Sequence, residues 1–434
     1  MSRTLFGWPL YSDVGVTYSP VLSGGSWLTA LPLSNLQNRE LAKVARSSND
    51  DLTSTIIKAD LGVARAVRVV AGVKHNLSSA AKVRGRLMGA VPIYEDNALE
   101  AWTPSGTPVL TAGQADPFGG TRAVLVNDDD GAVVEVIHDV VAFTGDGVKA
   151  IGITLKAGTA AVTEFGIFDE TALAWLHRIR ATWSGGVPTL TTTAGSGTLY
   201  TPQLIATGFY AALVLVDGVT AANTNGFYLY PAGTSAASTG TVTAYEALAW
   251  DLTTQPVLYD SGVVDAWPTG IDAEEYENHT KTFLHVLSTA ATGRYWREEI
   301  ADTSNADGYV QLGRLAICGA WEPTYHMNVG MRQGWDTSSV SEESDGGAMI
   351  HRDRAVRRSA GLTFGDISHD EALANAFEMQ AKLGTTKQLF VVLDPDDSTN
   401  LHRQSFLCRL QALSPLEARN YHRRDVPFAL VEEL

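Results

Sequence analysis

The residues of this 434-residue chain that could do chemistry fall into three groups. The first is acidic turns. Asn127-Asp128-Asp129-Asp130-Gly131 and Asp394-Pro395-Asp396-Asp397 crowd carboxylates and invite a calcium reading. An EF-hand loop needs acidic ligands at alternate positions and a bidentate Glu at the twelfth, a pattern neither stretch meets. The first stretch is expected to be a hairpin turn with Asp130-Gly131 supplying positive φ. The second is expected to be a solvated connection between two strands. The second group is aromatic. Segment 101–253 holds Trp102, Trp175, Trp183, Phe209, Tyr210, Phe227, Tyr228, Tyr230, Tyr245 and Trp250. Flat aromatic faces can stack on sugar rings, and they can equally fill a core, since each buries a large area. Trp102, Trp183, Tyr210, Tyr228 and Trp250 are the glycan-binding candidates. The third group is basic. In Lys82-Val83-Arg84-Gly85-Arg86-Leu87 a period of two puts Val83 and Leu87 on a core face and Lys82, Arg84 and Arg86 outward. That ridge is either a solvated sheet face or a contact for an acidic neighbouring subunit.

Signatures of catalysis are missing. There is no HExxH, no G-x-S-x-G elbow and no Walker A loop. Gly145-Asp146-Gly147 lacks the third glycine of a dinucleotide fingerprint. A glycosidase pair must face across about 5–10 Å, and spacing alone nominates none of the 48 acidic residues. Cys318 and Cys408 form no CxxC pair, so neither a disulfide scaffold nor a cysteine zinc site is expected. A non-enzymatic protein without metal or cofactor is the expectation. The net charge of −16 argues against a phosphate-binding surface and hence against nucleic acid. No run of about 18 apolar residues predicts a membrane span. No apolar stretch of the signal-peptide kind follows Met1-Ser2-Arg3, which predicts folding in a cytoplasm.

The elements that must position these residues are mostly strands. Forty glycines and abundant Thr, Ser, Val and Ala suit short strands and tight turns. Arg65 to Val73 reads as a strand buried on both faces. Between 101 and 253, strands are predicted at 121–127, 132–138, 148–155, 163–168, 178–183, 199–206, 209–216, 226–230 and 239–248. Turn signals such as Gly145-Asp146-Gly147 and Ser184-Gly185-Gly186 separate them, the pattern of a β-sandwich or jelly roll. Strand character like that of 65–90 returns after Pro256, and strands 65–90 alone bury too little to stand. One domain interrupted by another is therefore expected, an arrangement that hairpin tips permit. Segment 335–350 is Ser-, Glu- and Gly-rich and reads as a linker or ordered arm. A helix follows. Ser368 caps it, Glu371 completes a capping box, Leu373, Ala376 and Phe377 share a face, and Gly384 sits at C′. Strands at 388–393, 405–413 and 426–432 complete an α+β segment.

Several stretches carry a resemblance. Asp60-Leu61-Gly62, Val69-Val70-Ala71, His75-Asn76-Leu77-Ser78, Tyr259-Asp260-Ser261-Gly262, Trp267-Pro268, Arg294-Tyr295-Trp296 and Gly313-Arg314-Leu315 resemble minor tail or baseplate proteins of long-tailed bacteriophages and prophages. In those proteins this part resembles a discoidin-like β-sandwich, and the resemblance covers roughly residues 50–92 and 257–335. Trp102, Asp116-Pro117-Phe118-Gly119-Gly120-Thr121, Phe209-Tyr210 and Val242-Thr243-Ala244-Tyr245-Glu246-Ala247 resemble a carbohydrate-binding-like jelly roll. The combined expectation is mainly β. A discoidin-like sandwich spans 1–100 and 254–344, a jelly roll is inserted at 101–253, and a small C-terminal α+β tail-assembly domain spans 345–434. The resemblance implies a structural subunit of a tail tip or baseplate, assembled in the host cytoplasm and located in the virion tail. It implies a homo-oligomeric ring contacting other tail proteins, with host-surface polysaccharide as ligand of the jelly roll. The alternatives are a polysaccharide-binding adhesion protein and a cell-envelope glycan hydrolase.

Overall fold

The computed structural model describes residues 3–13, 20–267, 271–272, 274–275, 281–328, 330–345 and 347–434. Pro268 of the Trp267-Pro268 pair and Gly346 of segment 335–350 lie outside the described residues. The protein is mainly β, with 53% of residues in strands and 6% in helix. It forms two compact units. Unit 1 comprises Met1–Ala81, Asp265–Gly293 and Asp302–Leu434, and unit 2 comprises Lys82–Val264 and Arg294–Ala301.

Unit 2 is built on a sandwich. Among the described residues, one sheet has six strands in the order Val187–Gly195, Ala174–Ser184, Val162–Asp169, Asn225–Tyr230, Val136–Val141, Thr103–Ser105. The facing sheet runs Gln203–Ala206, Phe209–Val219, Gly147–Ala157, Gly240–Trp250, Ala123–Asp128, Val109–Gln114, and Tyr94–Asp96 pairs with Gly240–Trp250. All pairings are antiparallel. Successive residues of a strand point to opposite faces. Phe165, Ile167, Phe227 and Leu229 therefore meet Ile151, Ile153, Val214 and Ala247 between the sheets. The predicted Gly185-Gly186 turn is a two-residue hairpin loop, both glycines at positive φ, with Ser184 opposite Val187.

The outer face of the seven-stranded sheet is covered. Met88 and Val257 pack against Ala150, Leu215, Leu248 and Trp250. They come from a ribbon in which Lys82–Met88 pairs with Val257–Asp260 on one side and residues 295–301 on the other. The outer face of the six-stranded sheet bears half-exposed side chains.

Unit 1 contains a second β arrangement. The seven-stranded sheet runs Leu5–Gly7, Gln388–Val392, Ser405–Ala412, Arg423–Glu432, Val356–Ser368, Arg332–Thr337, with Glu417–Asn420 beside Arg423–Glu432. Its strand Gln388–Val392 is buried on both faces. Leu389, Val391 and Leu393 pack with the helical residues Ala372, Ala376, Met379 and Leu383. Phe390 and Val392 pack with Val69, Ala71, Val73 and Ala316. The last four come from Ile57–His75 and its antiparallel partner Gln311–Cys318. Residues 345–434 thus share one hydrophobic core with Phe6 and Trp321, and the expected boundary at 345 does not coincide with a break in packing.

Three local expectations are corrected. Asp130-Gly131 is not a hairpin turn. The preceding strand, Ala123–Asp128, belongs to the seven-stranded sheet and the following one, Val136–Val141, to the six-stranded sheet, so the loop crosses between layers. Asp130 Oδ1 accepts from Ala132 N at 2.9 Å, which turns the chain without a left-handed glycine. The helix spans 369–383, with a π-helical stretch at Ala372–Phe377. Ser368 Oγ accepts from Glu371 N at 3.2 Å, as its cap role requires. The Glu371 carboxylate instead takes Trp321 Nε1 and Thr324 N, so no reciprocal box forms. The buried face is Ala372, Ala376, Met379 and Leu383, while Leu373 and Phe377 are exposed. The π stretch adds a residue per turn and rotates the apolar stripe away from the period of 3.6. Segment 335–350 holds a hairpin, Val340–Glu343 with Met349–Arg352, exposed along both strands.

Candidate functional site

Three cross-strand rows build the outer face of the six-stranded sheet. In the central row Arg178, Gly166, Tyr228 and His138 are direct partners across four strands. A second row is Arg180, Glu164 and Tyr230. A third is Trp175, Phe168, Gly226 and Val140. Their phase follows from the core. Phe227 and Leu229 point in, so Tyr228 and Tyr230 point out; Phe165 and Ile167 point in, so Phe168 points out.

The aromatic rings form one tier. His138 stacks on Tyr228 at 4.5 Å with 5° between planes. Phe168 and Trp175 meet Tyr228 nearly perpendicularly at 5.7 and 5.6 Å, and Tyr230 lies 6.3 Å from it. All five are half-buried, so each keeps exposed surface while its neighbours fix its angle. Glycine makes the room. A Cβ on Gly226 would stand 2.5 Å from the Tyr228 ring and 2.6 Å from Glu170 Oε1. Gly166 leaves the middle of the central row without a side chain.

Charged groups rim the rings. Glu164 is fully buried and binds Arg180 at 2.7 Å and Arg178 at 3.2 Å. Arg178 also lies over Trp175, 5.3 Å from the ring centre. The Tyr228 hydroxyl donates to Glu170 Oε1 at 3.0 Å, and burial together with that carboxylate pushes its pKa up. Tyr228 stays a neutral donor through the physiological range. The face therefore offers stacking area with donors and acceptors at its border, which is binding chemistry. Among the described residues, no three His, Cys, Asp or Glu side chains are grouped to hold a metal ion.

Of the five glycan candidates, Tyr228 lies in this tier. Trp102 is in the sandwich core against Phe227, its Nε1 donating to Asp96 Oδ2 at 2.8 Å. Trp183 packs on the same core and donates to Thr163 Oγ1 at 3.0 Å. Trp250 is fully buried beneath the ribbon. Tyr210 is half-buried on the seven-stranded sheet, opposite Leu204 and Leu155. Trp102 and Trp250 are thus corrected from stacking platforms to packing residues. Trp175, Phe168, Tyr230 and His138 were not selected from the sequence. The usable signal was the alternation Phe227-Tyr228-Leu229-Tyr230, which puts two tyrosines on one face.

The basic ridge is also corrected. Lys82 is half-buried, but Arg84 and Arg86 are 1% and 2% exposed. Arg84 makes a bidentate pair with Asp260 at 3.0 and 2.6 Å. Arg86 binds Glu246 at 3.0 and 2.9 Å and Glu299 at 2.9 Å. Arg297 joins Glu299 at 2.9 Å and Glu95 at 2.6 Å. Despite burial, the guanidinium groups hold the carboxyls of Asp260 and Glu299 below the usual range. Outward phase in a strand means solvent only when nothing covers that face; here the sandwich does.

No family model matches the chain, and no curated protein matches it. Among solved structures it is similar to a family GH115 4-O-methyl-α-glucuronidase with specificity for decorated arabinogalactans, at 9% identity and a TM-score of 0.22. The match covers 38% of this chain and 18% of that one, and a likeness this slight carries no argument about fold or activity.

Proposed function

We propose that this protein is a structural subunit of a bacteriophage tail tip or baseplate, and that its unit 2 sandwich holds host-surface polysaccharide on the aromatic face of the six-stranded sheet. The ring tier of His138, Phe168, Trp175, Tyr228 and Tyr230 carries the binding half of this reading. Preformed, half-exposed rings with a polar rim suit the apolar faces and outward hydroxyls of sugar rings. Weak single sites suffice when several copies bind together, as in a ring of subunits.

The assembly half is supported by the tail-like sequence stretches and by the hairpin at 340–352. Val340, Met349 and Ile350 are 42%, 54% and 49% exposed there, and Trp335 and Val356 beside it are also exposed. Apolar side chains gathered on an exposed hairpin suit burial against a neighbouring tail protein. Envelope polysaccharide from candidate hosts, immobilised and challenged with the full chain, tests binding: retention of the native protein and loss with Trp175→Ala supports the reading. Equal retention of both overturns the assignment to this face. Electron microscopy of virions labelled within residues 101–253 tests location. A label on the capsid, or none on the particle, overturns the tail assignment.

A further inference from the structure

The hairpin of Val340–Glu343 and Met349–Arg352 is a two-stranded sheet that pairs with no other strand among the described residues. Every residue of both strands is exposed, so no core holds it. A lone two-stranded ribbon is marginal in water and gains stability when a third strand or a packed surface joins it. Its two outer edges present backbone N–H and C=O groups, the template on which a further strand adds.

The two strands differ in charge. Glu342 and Glu343 lie on one, with Asp345 just beyond it. His351 and Arg352 lie on the other, followed by Asp353 and Arg354. Register gives each charge an uncharged partner inside the hairpin. Glu342 is opposite Ile350, Glu343 opposite Met349 and Arg352 opposite Val340. His351 Nδ1 meets Ser341 Oγ at 2.9 Å. Alternation puts Glu342 on the same side as Val340, Ile350 and Arg352, and Glu343 on the same side as Met349 and His351. Each side of the ribbon therefore carries a carboxylate, a basic group and an exposed apolar side chain. Charges on an edge strand commonly keep other strands away. That holds here for two acidic or two basic edges, since like charges directly opposite destabilise a pair. The acidic edge of one hairpin and the basic edge of another attract.

We infer that this hairpin is a joint between copies of the chain, the acidic strand Val340–Glu343 of one copy adding edge to edge to the basic strand Met349–Arg352 of the next. The inference rests on the assembly half of the proposed function and commits the neighbour to a second copy. Val340, Met349 and Ile350 lose water at the joint, and the charges set which strands meet. Because the two copies use different strands, the contact runs head to tail and either closes a ring or extends a filament.

Analytical ultracentrifugation and native mass spectrometry of the full chain test the joint. Self-association is expected, and it should weaken as salt rises because the pairing charges are exposed. Glu342→Lys with Glu343→Lys makes both strands basic. Arg352→Glu with Arg354→Glu makes both acidic. Each double variant should fold as the wild type does, since it changes exposed side chains only, and should associate about tenfold more weakly or worse. An equal mixture of the two should regain association with alternating copies, which misfolded variants could not do. A wild type that stays monomeric up to its solubility limit overturns the inference. So does a loss caused by one reversal and not the other, or a mixture that does not associate. The virion label judges the tail reading separately: association with no label on the particle overturns that reading and leaves the joint, whereas a labelled tail with a monomeric chain does the reverse.

Discussion

The two outer faces of the unit 2 sandwich carry the same kinds of residue, arginine, glutamate and tryptophan, to different ends. On the six-stranded sheet Trp175, Arg178 and Arg180 are half-buried or exposed, with Tyr228 and Tyr230 beside them. On the seven-stranded sheet Trp250 and Glu246 are buried with Arg84 and Arg86. The difference lies in cover. The ribbon of Lys82–Met88, Val257–Asp260 and residues 295–301 removes one face from water, and every charge there must then find a counter-charge. The open face has no such obligation and can keep its rings for a ligand.

The comparison breaks most sharply on a single carboxylate. Glu246 binds both Arg84 and Arg86, so Glu246→Ala leaves two buried guanidinium groups undercompensated. A loss of about 3–5 kcal/mol in urea unfolding is expected. Glu170→Ala on the open face removes a carboxylate at 29% exposure and should cost about 0–1 kcal/mol. Equal costs would mean that the ribbon does not exclude water.

Acid should find the covered face through the same charges. Asp260 and Glu299 have folded pKa values below their unfolded ones. Their contribution is complete above the unfolded values, about 4, and disappears as pH falls through the folded ones. Stability should therefore decline on the acid side below about pH 4, and Glu299→Gln should flatten that decline. An unchanged acid limb in the variant would remove Glu299 from the account.

How far the sequence showed these faces depends on what each one needs. The strands at 147–157, 162–169, 209–219 and 225–230 are legible because their apolar residues alternate or run continuously. Val187–Gly195 was not, since Pro188 interrupts the strand signal and Val187 and Leu190 do not alternate with period two; the strand lies at a sheet edge, where proline is tolerated. The outward phase of Arg84 and Arg86 was also legible, but their burial was not. It depends on Glu246, Asp260 and Glu299, which lie 160, 176 and 213 residues away along the chain. For the aromatic tier, Tyr228 could be selected as an aromatic within a strand, whereas Trp175 and His138 join it only through cross-strand register. Phe377 shows the same limit in a helix. A strict period of 3.6 puts it inside, and the π-helical stretch puts it outside at 55% exposure.

A smaller change sharpens the open face alone. Gly226→Ala adds one methyl group that would meet the Tyr228 ring and Glu170 Oε1 well inside contact distance. The ring must tilt, at a cost of about 1–3 kcal/mol for the local crowding. Tyr228 fluorescence and polysaccharide retention should change together, while the acid limb set by Glu299 stays as it is. A variant that binds normally would show that the tilt of Tyr228 is not part of the site.

A substitution that barely changes stability carries the most information about function. Trp175 touches Phe168 at 5.1 Å, Tyr228 at 5.6 Å and Tyr230 at 5.9 Å, and it lies under Arg178. It is half-buried at the edge of the tier, and no residue of the sandwich core rests on it. Trp175→Ala should therefore cost only ~1 kcal/mol, the worth of about one aromatic pair. Polysaccharide retention should nevertheless be lost, because the widest exposed ring is gone. Trp250→Phe should show the converse, leaving retention on polysaccharide intact while the buried face loses its indole donor. Stability and retention measured side by side on these two tryptophans separate a ring that presents a surface from one that fills a layer. If Trp175→Ala destabilises the sandwich as strongly as a core deletion, roughly 3–5 kcal/mol, the tier is core that happens to lie outside the sheets, and the open face holds no ligand.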